Sequence, residues 1–100
     1  MSSCKIWDYI LVGGGLSASV VTHRLIESNP KLNILVVEAG PDAKDRPDIV
    51  WPNSTNLVGG DFDWGYNTVD QQWLDNRQVD MPAGKALGGG TVINAGMSSP

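Results

Sequence analysis

The stretch DYILVGGGLSASVVTHRL, Asp8 to Leu25, together with NILVVE, Asn33 to Glu38, decides the fold. Residues 8–12 are apolar after Asp8, partly β-branched and stopped by glycine, which predicts a short buried strand. From Leu16 to Ser28 the period changes. Val20, Val21, Leu25 and Ile26 share one helical face, and Arg24, Glu27 and Ser28 turn away from it. Pro30 disfavours a helical Asn29, so the helix ends there. The second strand spans Asn33 to Glu38, and its nearly continuous apolar run suits a strand buried on both faces of a parallel sheet. Strand, helix and strand in so short a span form a βαβ unit, whose crossover is expected to be right-handed.

The turn between the first strand and the helix reads G-x-G-x-x-A at Gly13, Gly15 and Ala18. Gly13 permits the tight exit from the strand. Gly15 has no Cβ, so backbone can approach a pyrophosphate, and Ala18 keeps helix and strand close. The helix N-terminus adds unpaired N–H groups and a partial positive charge. Glu38 ends the second strand, 20 residues after Ala18. A carboxylate there accepts hydrogen bonds from the 2′- and 3′-hydroxyls of an adenosine ribose and repels a 2′-phosphate, which disfavours NADP. By itself this unit does not separate FAD from NAD.

The rest of the chain is looser. PDAKDRPDIVWPNSTNLVGGDFD, residues 41–63, carries three prolines and many turn residues, and reads as irregular chain with at most one helical turn. WGYNTV (64–69) and RQVDMPA (77–83) are candidate strands of a hairpin around QQWLDN. Then PAGKALGGGTVINAGMSSP, residues 82–100, brings a second glycine-rich turn, with Thr91 to Met97 expected to start a helix that Thr91 caps.

Composition bounds the function. The chain has 100 residues, 41% hydrophobic and 18% charged, with 12 glycines and 6 prolines. That is one domain at most, burying roughly 60–70% of the surface its unfolded form exposes. The net charge of −4, without a Lys/Arg run, argues against a nucleic-acid partner. No stretch approaches the ~20 apolar residues of a membrane helix, and no apolar signal segment precedes Asp8. The expectation is therefore a soluble, cytoplasmic chain in which the Asn53 sequon stays unused. Cys4 is the single cysteine and reads as an exposed thiol without a role. His23 has no partner at ligand spacing, and Asp61 and Asp63 read as a polar loop rather than a metal site. The four tryptophans serve either as core or as substrate contacts.

With DYILVGGGLSAS and VVEAG in place, the second glycine cluster resembles the first signature of the glucose–methanol–choline (GMC) oxidoreductases, FAD-dependent alcohol oxidases and dehydrogenases. The matching residues are Gly84, Lys85, Leu87, Gly88, Gly89, Gly90, Thr91, Ile93 and Asn94, and the pair in DWGYNTV is also family-like. The resemblance covers nearly the whole chain. It implies an α/β architecture: a partial Rossmann-like βαβ FAD-binding domain over residues 1–100, with irregular loops and a second glycine turn leading into a helix. It implies FAD as cofactor, held by Gly13 and Gly15, by Leu16 and Ser17 over the pyrophosphate, by Glu38 at the ribose, and by Gly90, Asn94, Ala95, Gly96 and Ser98 beside the pyrophosphate and isoalloxazine. The family often has an aromatic residue or alanine where this chain has Ser98.

The resemblance further implies a small alcohol substrate in the complete enzyme, hydride transfer from the alcohol carbon to flavin, and catalytic residues well downstream of these 100. The chain is thus expected to be a fragment or truncated product without catalytic residues of its own. The alternatives are a non-catalytic truncated paralogue acting through protein contacts, and a plain NAD-binding Rossmann piece, which the second cluster disfavours. Two parallel strands leave an open edge and an uncovered apolar face, so the isolated chain is expected to be marginally folded or prone to aggregate.

Overall fold

The computed structural model describes residues 4–50 and 57–94. The chain runs β1 (Tyr9–Val12), α1 (Leu16–Ser28), β2 (Ile34–Val37), a single helical turn α2 (Pro47–Val50), β3 (Tyr66–Asn67) and β4 (Asp80–Met81), with 3₁₀ turns at Gln72–Leu74 and Gly89–Val92. The helix lies where the apolar period and Pro30 place it. Asn29 leaves it with φ −151° and ψ 98°, the extended geometry that a residue before proline adopts.

β1 and β2 pair in parallel, Tyr9 opposite Ile34 and Val12 opposite Val37. Hydrogen bonding continues beyond both ends: the Asp8 N–H donates to the Asn33 carbonyl at 2.9 Å, and the Gly13 N–H to the Val37 carbonyl at 2.7 Å. The Asp8 carboxylate in turn accepts from the Asn33 N–H at 2.7 Å. β3 and β4 form the expected hairpin, antiparallel, with Tyr66 opposite Met81 and Asn67 opposite Asp80. At its tip Asp75 and Asn76 take φ of 54° and 52°. Asp and Asn tolerate this left-handed region better than other side chains do.

The core is not where the apolar strands suggest. Among the described residues, Leu57, Phe62, Ala86, Val92 and Ile93 are the buried hydrophobic ones, with Ala43 and Ile49 packed against them. This cluster sits under the second glycine turn, and the Arg46 guanidinium lies 5.0 Å from the Phe62 ring centre. No residue of α1 is buried. Its half-buried positions are Ala18, Thr22 and Leu25. Val20, Val21 and Ile26 are exposed, so of the apolar face read from the sequence only Leu25 turns inward. β2 is likewise half-buried rather than buried on both faces. The physical reason is the size of the sheet: two strands with one crossover helix leave a face and both outer edges with nothing in the described residues to cover them.

The second glycine turn also departs from expectation. Its described part is the 3₁₀ turn Gly89–Val92, and Thr91 lies inside it instead of capping a helix. The Thr91 hydroxyl donates back to the Gly88 carbonyl at 2.8 Å, a local bond that a short polar side chain readily makes. The remainder of the expected helix, residues 95–97, lies outside the described residues, as does the Asn53 sequon. No helix among the described residues is long and apolar enough to cross a membrane.

Candidate functional site

The two glycine turns meet. The Gly88 N–H donates to the Gly14 carbonyl at 2.7 Å, and Gly15 and Gly88 form an isolated parallel bridge. The approach leaves no room for a side chain on the second turn. A Cβ on Gly89 would lie 3.0 Å from the Gly15 Cα, and Gly89 has φ +59°. A Cβ on Gly84 would strike the Gly89 carbonyl. Gly15 itself is different: a Cβ there would meet nothing within 4 Å, although the family pattern has glycine at this position. Gly15 also lines a cleft of 450 Å³, together with Val12, Gly13, Glu38, Trp64 and Gly89, among others.

That cleft lies at the start of α1. Gly15 is the N-cap residue, no side chain caps the helix, and its first turn holds no acidic residue. The N-terminal end therefore keeps its attraction for an anion. Leu16 and Ser17 stand exposed on this first turn.

Glu38 joins the turn to the second strand. One carboxylate oxygen, Oε2, accepts from the Gly14 N–H at 2.6 Å. The other, Oε1, accepts from the Gly40 N–H at 2.9 Å. The Gly14 bond first, then the Gly40 bond, hold the Glu38 carboxyl below its ordinary range, so it is ionised at neutral pH. Each oxygen retains a lone pair beyond the one engaged, so the group can still accept from two hydroxyls in the cleft.

Of the residues named from the sequence, Gly13, Gly15 and Glu38 line the cleft together. Leu16 and Ser17 sit beside it on α1. Gly90 and Asn94 follow Gly89 on the second turn, both exposed. Ala95, Gly96 and Ser98 lie outside the described residues. His23 lies elsewhere, lining a 280 Å³ cavity between α1 and β2 with Ala18, Thr22, Val36 and Leu87.

The sequence reading names no role for Gly14, and it leaves Trp64 as core or substrate contact within a family-like Asp63–Trp64 pair. Gly14 is a variable position of the glycine motif, yet it carries the contacts to Gly88 and Glu38. A Cβ on it would lie 2.7 Å from a Leu87 methyl and 3.2 Å from the Glu38 carboxylate. Trp64 reaches the cleft because its backbone is pinned to the second glycine segment. Its N–H donates to the Ala83 carbonyl at 2.9 Å, and Asp63 bridges Gly84. No local pattern signals that placement.

The profile of the family described as GMC oxidoreductase matches residues 7–99. Among curated proteins, pyranose dehydrogenase 2 of Leucoagaricus meleagris is 43% identical over 89 residues, which is 88% of this chain and 15% of that protein. An uncharacterized GMC-type oxidoreductase of Mycobacterium bovis is 39% identical over 90% of this chain and 17% of its own length. Among solved structures, pyridoxine 4-oxidase from Mesorbium loti superimposes with a TM-score of 0.77 at 30% identity, covering 90% of this chain and 18% of that one. An FAD-dependent oxidoreductase from Chaetomium thermophilum gives 0.71 at 33% identity, over 90% of this chain and 15% of that one. The chain thus spans about 15% of the length of the first curated relatives it matches.

Proposed function

The chain belongs to the GMC oxidoreductase family, and we propose that its 100 residues are the N-terminal FAD-binding segment of an enzyme that oxidises a small alcohol. One observation carries the reading: two glycine turns far apart in sequence close on each other beside an uncapped helix N-terminus and an ionised glutamate. These features suit the pyrophosphate and the adenosine ribose of a dinucleotide. The open Gly15 surface and the first turn of α1, with Leu16 and Ser17, receive the pyrophosphate. Glu38 receives the ribose hydroxyls. The family resemblance assigns Gly90, Asn94, Ala95, Gly96 and Ser98 to the pyrophosphate and isoalloxazine.

FAD, when bound, supplies an acceptor for hydride from a carbon that bears a hydroxyl group. The residues of this chain bind and orient it. None of them is assigned as catalytic, and the substrate domain is not part of these 100 residues.

Titration of the purified chain with FAD, followed by flavin fluorescence, tests the reading. Saturable binding with one site per chain, weakened at least tenfold in Glu38→Ala, is the expected result. Absence of binding at tens of micromolar FAD would overturn it.

A further inference from the structure

The run Phe62–Trp64 lies antiparallel to Ala83–Lys85, the segment that enters the second glycine turn. The Lys85 N–H donates to the Phe62 carbonyl at 2.8 Å and the Trp64 N–H to the Ala83 carbonyl at 2.9 Å, with Asp63 and Gly84 opposite each other between them. The Ala83 N–H is received by a side chain, Asp63 Oδ1, at 2.9 Å. The same oxygen accepts from the Gly65 N–H at 3.0 Å, and Oδ2 accepts from the Gly59 N–H at 2.8 Å. One carboxylate thus gathers the loop before Phe62, the residue after Trp64 and the entry to the second glycine turn. All three donors are backbone N–H groups, which suits a side chain that only accepts.

Asp63 is not among the residues that line the 450 Å³ cleft, but its bridge partner Gly84 is, together with Gly13, Gly15, Glu38 and Gly89. The main chain here has no slack. A Cβ on Gly84 would strike the Gly89 carbonyl, and one on Gly40 would strike the Lys85 carbonyl. Backbone packed on backbone passes a displacement on, because it cannot rotate away as a side chain does. A shift at Ala83 and Gly84 therefore reaches Gly89 and, through it, the Gly15 side of the cleft.

We infer that Asp63 is a positioning residue for dinucleotide binding: by receiving the Ala83 N–H it fixes the Gly84 wall of the cleft, as Glu38 fixes the first glycine turn. The inference rests on the FAD reading above and extends it to a residue outside the cleft, which acts through Ala83 and Gly84 and not by contact with the cofactor.

FAD titrations and thermal melts on the same samples test this, at a temperature where circular dichroism shows each variant folded. Asp63→Ala is expected to weaken FAD binding about tenfold. Asp63→Asn keeps an oxygen for Ala83 and Gly65 and loses the Gly59 bond, so it is expected to melt lower yet bind FAD within about threefold of the parent. Ile49→Ala loosens the core cluster at a residue that does not line the cleft, and is expected to melt lower with FAD affinity unchanged. Parent-like FAD affinity in a folded Asp63→Ala would show a merely structural role and overturn the inference, leaving the FAD reading intact. So would a loss in Asp63→Asn as large as in Asp63→Ala, or an equal loss in Ile49→Ala. Where Asp63→Ala fails to fold, Ala83→Pro takes away the N–H that Asp63 receives and leaves Asp63 in place. It is expected to show the same loss of affinity, and parent-like binding there overturns the inference. A parent chain that binds no FAD overturns both.

Discussion

The Glu38 carboxylate accepts the Gly14 N–H at 2.6 Å, and so ties the end of the second strand to the turn that leaves the first. A single side chain thereby holds the turn geometry and offers its remaining lone pairs to the cleft. The two duties separate experimentally, because one is read by stability and the other by binding.

Glu38→Gln is expected to destabilise the chain by about 1–2 kcal/mol, since a neutral amide replaces a charged acceptor of two backbone donors. The pH dependence follows from the lowered carboxyl. A group whose folded pKa lies below its unfolded value stabilises the fold above the unfolded value, here 4.5, and loses that contribution as pH falls from there through the folded value. Urea unfolding midpoints of parent and Gln variant should therefore differ at neutral pH and converge on the acid side. A gap that stays constant with pH would contradict this.

Gly15→Ala and Gly84→Ala are expected to fail in different ways. At Gly15 a Cβ meets no protein atom and the backbone has φ −74°, so stability should stay within about 1 kcal/mol of the parent or rise. FAD binding should fall by an order of magnitude or more, because the methyl enters the space proposed for pyrophosphate. At Gly84 the added methyl strikes backbone, which cannot swing aside as a side chain would. That variant should lose about 1–3 kcal/mol of folding stability or fail to fold. Circular dichroism melts and FAD titration on the same samples check both.

Asp63→Ala removes the acceptor of three backbone donors and should lower the unfolding midpoint more than Asp48→Ala, whose partner is the exposed Arg46. The Gly65, Ala83 and Gly59 bonds, in that order, hold the Asp63 carboxyl below its ordinary range. Its contribution is thus present above the unfolded carboxyl value and lost as pH falls through the lowered one. Equal midpoints for the two variants would count against this role.

The isolated chain should self-associate through its sheet. Ile10 and Val12 are 60% and 88% exposed on β1, and among the described residues the sheet has two strands. Ile10→Lys places a charge on that face and should reduce association in concentration-dependent light scattering, without lowering the unfolding midpoint. A parent chain that stays monomeric at high concentration and melts cooperatively well above ambient temperature would contradict the expectation.

The local elements were legible in the sequence because local rules govern them. Glycine after an apolar run ends β1, the 3.6-residue period sets α1, Pro30 closes it, and the Asp75–Asn76 turn suits the hairpin. Where burial depends on what else packs nearby, sequence reasoning went astray. Val20, Val21 and Ile26 look like a core face but stand exposed, and the buried cluster formed around Phe62, in a segment read as irregular loop. A hydrophobic period shows that a face can be buried, not that a partner exists to bury it.

The site divides along the same line. The sequence by itself determined the strand–turn–helix with its glycines, the acid at the end of the second strand, and the family that pairs them with a second glycine turn. Only the tertiary structure decided that Gly88 bonds Gly14, that Glu38 braces the first turn, and that Trp64 enters the cleft. Those contacts join residues between 24 and 74 positions apart in the chain or come from different segments altogether. Their geometry depends on where the folded backbone carries each group, and no spacing along the chain encodes that.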